Sequence, residues 1–142
     1  MFVRQVMSRS IVTTKPDTSL KEASRIMGEM HIGCLVVLDE SEKIVGIVTN
    51  SDVLRAIAND KDPNTTLISD IMSRNVKVVE PDKSLEDAIK LMVDNKIKKL
   101  PVVENDKLIG IITASDIAVV QPRLIASISS LLSIRVPMFS GG

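Results

Sequence analysis

Residues 6–53, VMSRSIVTTKPDTSLKEASRIMGEMHIGCLVVLDESEKIVGIVTNSDV, return as residues 71–117, IMSRNVKVVEPDKSLEDAIKLMVDNKIKKLPVVENDKLIGIITASDI. Met7-Ser8-Arg9 matches Met72-Ser73-Arg74, Pro16-Asp17 matches Pro81-Asp82, and Ser19-Leu20 matches Ser84-Leu85. Ala23 and Met27 stand against Ala88 and Met92. After a one-residue gap in a polar turn, Gly46-Ile47, Thr49 and Ser51-Asp52 match Gly110-Ile111, Thr113 and Ser115-Asp116. Order is kept throughout, with an offset of 65 residues before the gap and 64 after it. Self-similarity at a fixed period marks a tandem repeat of one folding unit.

Each copy spells the same elements. An extended stretch (12–14; 77–79) runs up to a proline two residues on, which cannot continue a ladder. Ser19 and Ser84 then stand where a helix cap is needed, with Glu22 and Asp87 three residues later, as in a capping box. Leu20, Ala23, Met27 and Met30, and Leu85, Ala88, Leu91 and Met92, follow at helical spacing. Two short apolar strands come next, LVVL with KIVGIVT and LPVV with KLIGIIT, joined by the polar turns DESE and ENDK. A second helix starts near Ser51 and near Ser115. The expected fold class is α/β (α+β), two βαββα motifs packed through their sheets as one pseudo-two-fold module. A half of 50–60 residues buries too little surface to stand alone. The expected divisions are 1–60 for the first motif, 66–120 for the second, and 121–142 for a terminal helix and tail. The polar segment 59–65 is the linker, and Leu124, Ile125, Ile128, Leu131 and Leu132 give the tail an apolar stripe suited to capping the core.

Composition narrows the chemistry. The chain has 142 residues, 44% apolar and 25% charged, ordinary for a globular protein. Eighteen basic residues balance eighteen acidic ones, so no electrostatic case for nucleic acid or an anionic membrane exists. With no Trp, no Tyr and two Phe, base stacking on aromatic platforms has almost nothing to use. One cysteine, Cys34, and one histidine, His31, leave no disulfide within the chain, no thiolate cluster and no two-imidazole relay. No apolar run approaches the ~20 residues of a membrane span, and the first residues lack a signal-peptide core. A soluble cytoplasmic chain with no metal is expected. His31 and Cys34 have no counterpart in the other repeat, where Lys96 and Lys99 stand. A Cys–His nucleophile is therefore not the expected reading.

The segments GIVTNSD (46–52) and GIITASD (110–116) place hydroxyls and a carboxylate where a buried strand turns into a helix. Helix N-termini favour phosphate through unpaired N–H groups, and the carboxylate can accept from the two hydroxyls of a ribose. The same residues are also ordinary helix caps, and spacing alone leaves both readings open.

The repeat, with D-x-M-S at residues 70–73, L-P-V-V at residues 100–103 and G-h-h-T-x-S-D ending both copies, resembles the cystathionine-β-synthase (CBS) domain. The first copy departs in having Val36 where the second has Pro101, and Gln5 where the second has Asp70. The resemblance covers residues 1 to about 120 and implies a CBS pair, a regulatory module without a reaction of its own. Such pairs bind AMP, ADP, ATP or S-adenosylmethionine in two clefts, each built from both repeats. Carried over residue by residue, one cleft combines Thr113, Ser115 and Asp116 with Ser10, Val12, Ile32, Gly33 and Cys34. The other combines Thr49, Ser51, Asp52 and Arg55 with Asn75, Lys77, Ile97, Lys98 and Lys99. The Asp accepts from ribose, Thr and Ser sit near the first phosphate, and the loop residues flank adenine. No cofactor is required beyond the adenine nucleotide itself. The basic residues of the Asp52 set imply that ATP or ADP prefers it, with a less charged adenosine compound at Asp116.

A ligand-free dimerisation scaffold is the alternative function. The expected partners are an adenosine-containing small molecule, a second copy of the chain and a separate effector protein, with no membrane role. Homodimers at micromolar concentration are therefore expected by light scattering, and a monomer mass across that range contradicts this.

Overall fold

The computed structural model describes residues 1–132, so the expected tail beyond them lies outside the described residues. In chain order the elements are α1 (Val3–Val6), β1 (Thr13–Thr14), α2 (Leu20–Met30), β2 (Cys34–Leu38), β3 (Ile44–Thr49), α3 (Asn50–Ala58) and α4 (Ile68–Ile71). They continue as α5 (Leu85–Asn95), β4 (Lys99–Glu104), β5 (Lys107–Thr113) and α6 (Ala114–Val120). A 3-10 turn at Pro122–Leu124 leads into α7 (Ile125–Leu132). All four expected helices and both expected hairpins are present at the expected positions.

The elements gather into two compact units. The first is Ile11–Val76; the second joins Met1–Ser10 to the chain from Lys77 onward. In the first unit β1 runs parallel to β2, and β2 antiparallel to β3. The outer edge of β3 is closed by Ser73, whose N–H and C=O exchange hydrogen bonds of 3.0 Å with Ile47. The second unit repeats this plan. Ser8 and Ile111 exchange bonds of 2.8 and 2.9 Å along β5, and β4 pairs antiparallel with β5. Each sheet is therefore finished by a segment from the start of the other repeat in sequence.

Ser19 and Ser84 cap their helices as expected: each Oγ accepts an amide three residues on, from Glu22 at 3.1 Å and from Asp87 at 3.0 Å. Glu22 does not complete the box in return. Its carboxylate pairs with Arg25 one turn along α2, and that hydrogen bond holds its pKa below the usual carboxylate range. Both helices end on a residue in the left-handed region, His31 at φ 55° and Lys96 at φ 54°, which turns the chain back into a strand.

The extended stretch is longer in the first copy than in the second, and one residue explains it. Val36 donates its N–H to Val12 C=O at 3.3 Å, starting the β1–β2 ladder. Pro101 stands at the matching position and has no N–H to give. Residues 77–79 consequently keep a single parallel bridge, Val79 to Val102. The hairpin turns differ too. Asp39 Oδ1 accepts from the amides of Ser41 and Lys43 in the longer first turn. Asn105 and Asp106 both take positive φ, the signature of a tight two-residue turn, in the second.

Each unit has its own core. Ala23, Met27, Leu35, Val37, Val48, Ile68 and Met72 form the first; Leu85, Ala88, Met92, Leu100, Val102, Ile112 and Ile117 belong to the second. Met30 keeps the helical spacing but is exposed at the last position of α2. Of the tail's apolar stripe, Leu131 is buried in the second core and Leu124 packs against it, so this part caps that unit. The side chains of Ile125, Ile128 and Leu132 lie outside the described set.

Gly46 and Gly110 are required by close approach. A Cβ on Gly46 meets the Met72 thioether and lies 3.1 Å from Ser73 C=O. A Cβ on Gly110 lies 2.7 Å from Met7 Sδ and 2.8 Å from Ser8 C=O. The same glycine–methionine contact therefore locks the edge segment in both units. Both Gly→Ala variants are expected to lose about 1–3 kcal/mol in urea unfolding through overpacking. Gly110→Ala should lose more, because a backbone oxygen yields less easily than a methionine tip; equal midpoints to the parent contradict the contact.

Candidate functional site

The last strand of each unit leads straight into a helix, and the Thr-x-Ser-Asp segment sits at that turn. Thr49 is the last residue of β3 and the N-cap of α3; Thr113 holds the same place between β5 and α6. Backbone pairing brings the loop before the preceding strand to the same end of the sheet. Cys34 is paired with Thr49, and Asn50 N–H donates to Gly33 C=O at 3.1 Å. In the second unit Lys99 is paired with Thr113, and Ala114 N–H donates to Lys98 C=O at 2.8 Å.

The first unit thus assembles Ile32, Gly33, Cys34, Thr49, Ser51, Asp52 and Arg55 at one sheet end. The second assembles Ile97, Lys98, Lys99, Thr113, Ser115 and Asp116. Ser51 and Ser115 are exposed in the first turn of their helices. Val12 is half-buried beside β2, Ser10 and Asn75 are exposed, and Lys77 is half-buried. His31 is exposed and ends α2 in the left-handed region.

The two carboxylates are held differently. Asp52, 8% exposed, accepts at Oδ2 from the Thr49 amide (2.8 Å) and the Thr49 hydroxyl (3.1 Å). Its Oδ1 accepts from the Arg55 guanidinium at 3.0 Å, an ion pair within one turn of α3. Asp116 is half-buried, and among the described residues its Oδ2 accepts one hydrogen bond, from the Thr113 amide at 3.2 Å. The Thr113 hydroxyl instead accepts the Asp116 amide at 3.0 Å. Among the described residues no side chain reaches Asp116 Oδ1, and Val119 stands where the first unit has Arg55. Both threonines and both aspartates are therefore helix caps, whatever else they do.

One feature of the first unit escaped the sequence reading. A groove of about 530 Å³ lies between α2 and α3, with Ser24, Gly28, His31, Asn50 and Leu54 among its walls. Its floor is open at Gly28, where an added Cβ meets nothing within 4 Å. The repeat carries the signal: Ile89, Val93 and Ala114 replace Ser24, Gly28 and Asn50 in the second copy.

The CBS domain family matches the chain twice, over residues 3–59 and 68–122. The chain belongs to the CBS domain family. Its fold is that of solved CBS domain pairs. The CBS domain pair of protein MJ0100, solved with 5′-methylthioadenosine and S-adenosyl-L-methionine, superposes at a TM-score of 0.79 with 30% identity, covering 87% of this chain and 97% of that one. A CBS domain protein from Thermoplasma acidophilum, TA0289, gives a TM-score of 0.84 at 27% identity, over 94% of this chain and 75% of that one. In sequence, the CBS domain-containing protein YhcV of Bacillus subtilis is 32% identical over 120 residues, 84% of each chain. The uncharacterized protein MK0525 of Methanopyrus kandleri is 40% identical over 128 residues, 89% of this chain and 65% of its own length. The inosine-5′-monophosphate dehydrogenase of Methanocaldococcus jannaschii is 38% identical over 114 residues, but these are only 22% of that enzyme. The CBS likeness thus stands apart from the rest of such an enzyme. Among the described residues no helix is long and apolar enough to cross a membrane.

The unequal hydrogen bonding has a direct consequence for stability. Asp52→Ala strands two Thr49 donors and a guanidinium and is expected to cost about 1–3 kcal/mol in urea unfolding. Asp116→Ala removes one long hydrogen bond and should cost about 1 kcal/mol or less. A larger loss at Asp116 contradicts the assignment.

Proposed function

We propose that the protein is a regulatory module that binds adenosine-containing small molecules and carries out no reaction itself. The observation that carries this is the duplicated clasp in which a strand-end threonine and a helix-start aspartate share hydrogen bonds beside a backbone loop. Each turn presents a carboxylate and hydroxyls at a helix N-terminus, the set that a nucleoside with an attached phosphate or thioether would use. The ligands of the MJ0100 CBS pair, both adenosine compounds, support the same chemistry here.

In this reading Asp52 and Asp116 accept from ribose hydroxyls, and Thr49, Ser51, Thr113 and Ser115 lie toward the first phosphate or its equivalent. Ile32–Cys34 and Ile97–Lys99 flank adenine with aliphatic surface and backbone groups, which suits a chain almost without aromatics. Ser10, Val12, Asn75 and Lys77 are further candidates for ligand contact in this reading. The module works as a homodimer in the cytoplasm and passes its state to a separate effector protein.

A second reading has a specific observation behind it. Both aspartates already cap their helices, so the clasps would persist in a scaffold that binds nothing. Thermal shift with AMP, ATP, 5′-methylthioadenosine and S-adenosylmethionine separates the two. At 100 times its dissociation constant a ligand adds about 2.7 kcal/mol, a Tm rise on the order of 10 °C. That rise should shrink in Asp52→Asn and Asp116→Asn variants; no shift with any of the four compounds favours the scaffold.

A further inference from the structure

The two turns share their sequence pattern but not their spare hydrogen-bonding capacity. A carboxylate offers about four lone-pair positions, two on each oxygen. At Asp52 the Thr49 amide and hydroxyl fill both positions of Oδ2, and Arg55 takes one of Oδ1. One position remains. At Asp116 the Thr113 amide takes one position of Oδ2, and three remain among the described residues. The Thr113 hydroxyl accepts from the Asp116 amide, and the hydroxyl-to-carboxylate bond that Thr49 makes to Asp52 has no counterpart here.

A ribose offers its 2′ and 3′ hydroxyls side by side, and a carboxylate reads both by accepting one on each oxygen. Asp116 can do this as it stands. Asp52 can accept one hydroxyl at Oδ1 but has no place at Oδ2, and a second bond at Oδ1 requires Arg55 to leave. The local charge differs in the same sense. Asp52 is neutralised by Arg55 one turn on, whereas Val119 at the matching position leaves the Asp116 carboxylate uncompensated on its own helix.

We infer that Arg55 is a specificity-determining residue: by occupying Asp52 it makes the first unit's turn a poor reader of the ribose diol, and leaves the Asp116 turn as the site that selects an uncharged or cationic adenosine compound. This rests on the adenosine reading proposed above and adds to it which turn reads the sugar and why. The Arg55 side chain is 64% exposed, so its pair with Asp52 is open to exchange and its replacement leaves the core untouched.

The test is calorimetry with adenosine and 2′-deoxyadenosine on single-turn variants of the full chain. Asp52→Asn leaves the Asp116 turn, and Asp116→Asn leaves the Asp52 turn. Loss of one hydrogen bond to a charged acceptor lowers affinity about tenfold or more, so the Asp116 turn should prefer adenosine by about that factor. The Asp52 turn should discriminate by less than about threefold, since its second hydroxyl has no place to donate. Adding Arg55→Met to Asp116→Asn should raise that preference to about fivefold or more, with Arg55→Gln as a second variant that keeps a polar side chain without the charge. Discrimination at the Asp52 turn that is already tenfold, or that Arg55→Met leaves unchanged, overturns the role of Arg55 alone. Adenosine affinity indifferent to both Asp→Asn changes overturns the adenosine reading of the turns, and the inference with it.

Discussion

The backbone pair between Ser73 and Ile47, and its twin between Ser8 and Ile111, closes the outer edge of each small sheet. An open edge next to a buried face would leave strand N–H and C=O groups without partners and invite pairing with another chain. Here the partner is a segment that the sequence attaches to the other repeat. The chain must therefore leave one unit and enter the other after Ser10 and again after Val76. Gly46 and Gly110 exist because Met72 and Met7 lie across these edge segments, and the two cores depend on those methionines. A repeat cut out at its own sequence boundaries lacks the bridging segment that finishes its sheet. The pairing of repeats is thus built into the hydrogen bonding as well as into the shortage of buried surface in a short chain.

Completion of the sheets also fixes where the chemistry sits. Once β3 and β5 are held on both sides, each ends at one defined residue, Thr49 or Thr113, and the helix that follows begins there. The carboxylate one turn into the helix satisfies the amide at the strand end. In the proposed reading, its remaining lone pairs serve the ligand. The balance between the two differs between the copies because of side chains three residues downstream, Arg55 and Val119. The two copies share the cap residues, and the side chains downstream make the caps unequal.

Most of this was legible in the residues. The serine caps, the helical spacing of Leu20, Ala23 and Met27, and the hairpins flanking DESE and ENDK follow from local rules, because local hydrogen bonding and pattern decide them. The exchange of edge segments was not legible, since Ser8 and Ser73 are polar residues in short stretches whose partners are distant in sequence. The shorter pairing of residues 77–79 was readable in principle from Pro101, whose missing N–H removes one bond. The two Thr-x-Ser-Asp turns stand out by their repetition, whereas the loop residues proposed beside them rest on the resemblance alone. The state of each carboxylate was not, because whether Arg55 turns to Asp52 or to solvent is a rotamer choice that spacing leaves open. The groove between α2 and α3 was missed because glycine and serine in a helix look like weak positions until the matching Val93 and Ile89 are set beside them.

The most direct measurement of the central claim, that the two Thr-x-Ser-Asp turns read adenosine compounds, is amide chemical-shift mapping of the labelled full chain during titration with adenosine. The largest changes should fall on residues 49–52 and 113–116 and on the loops 32–34 and 97–99, with residues 113–116 responding at lower ligand concentration. Changes confined to the groove around Gly28, His31 and Leu54, or no change at either turn at millimolar adenosine, would contradict it.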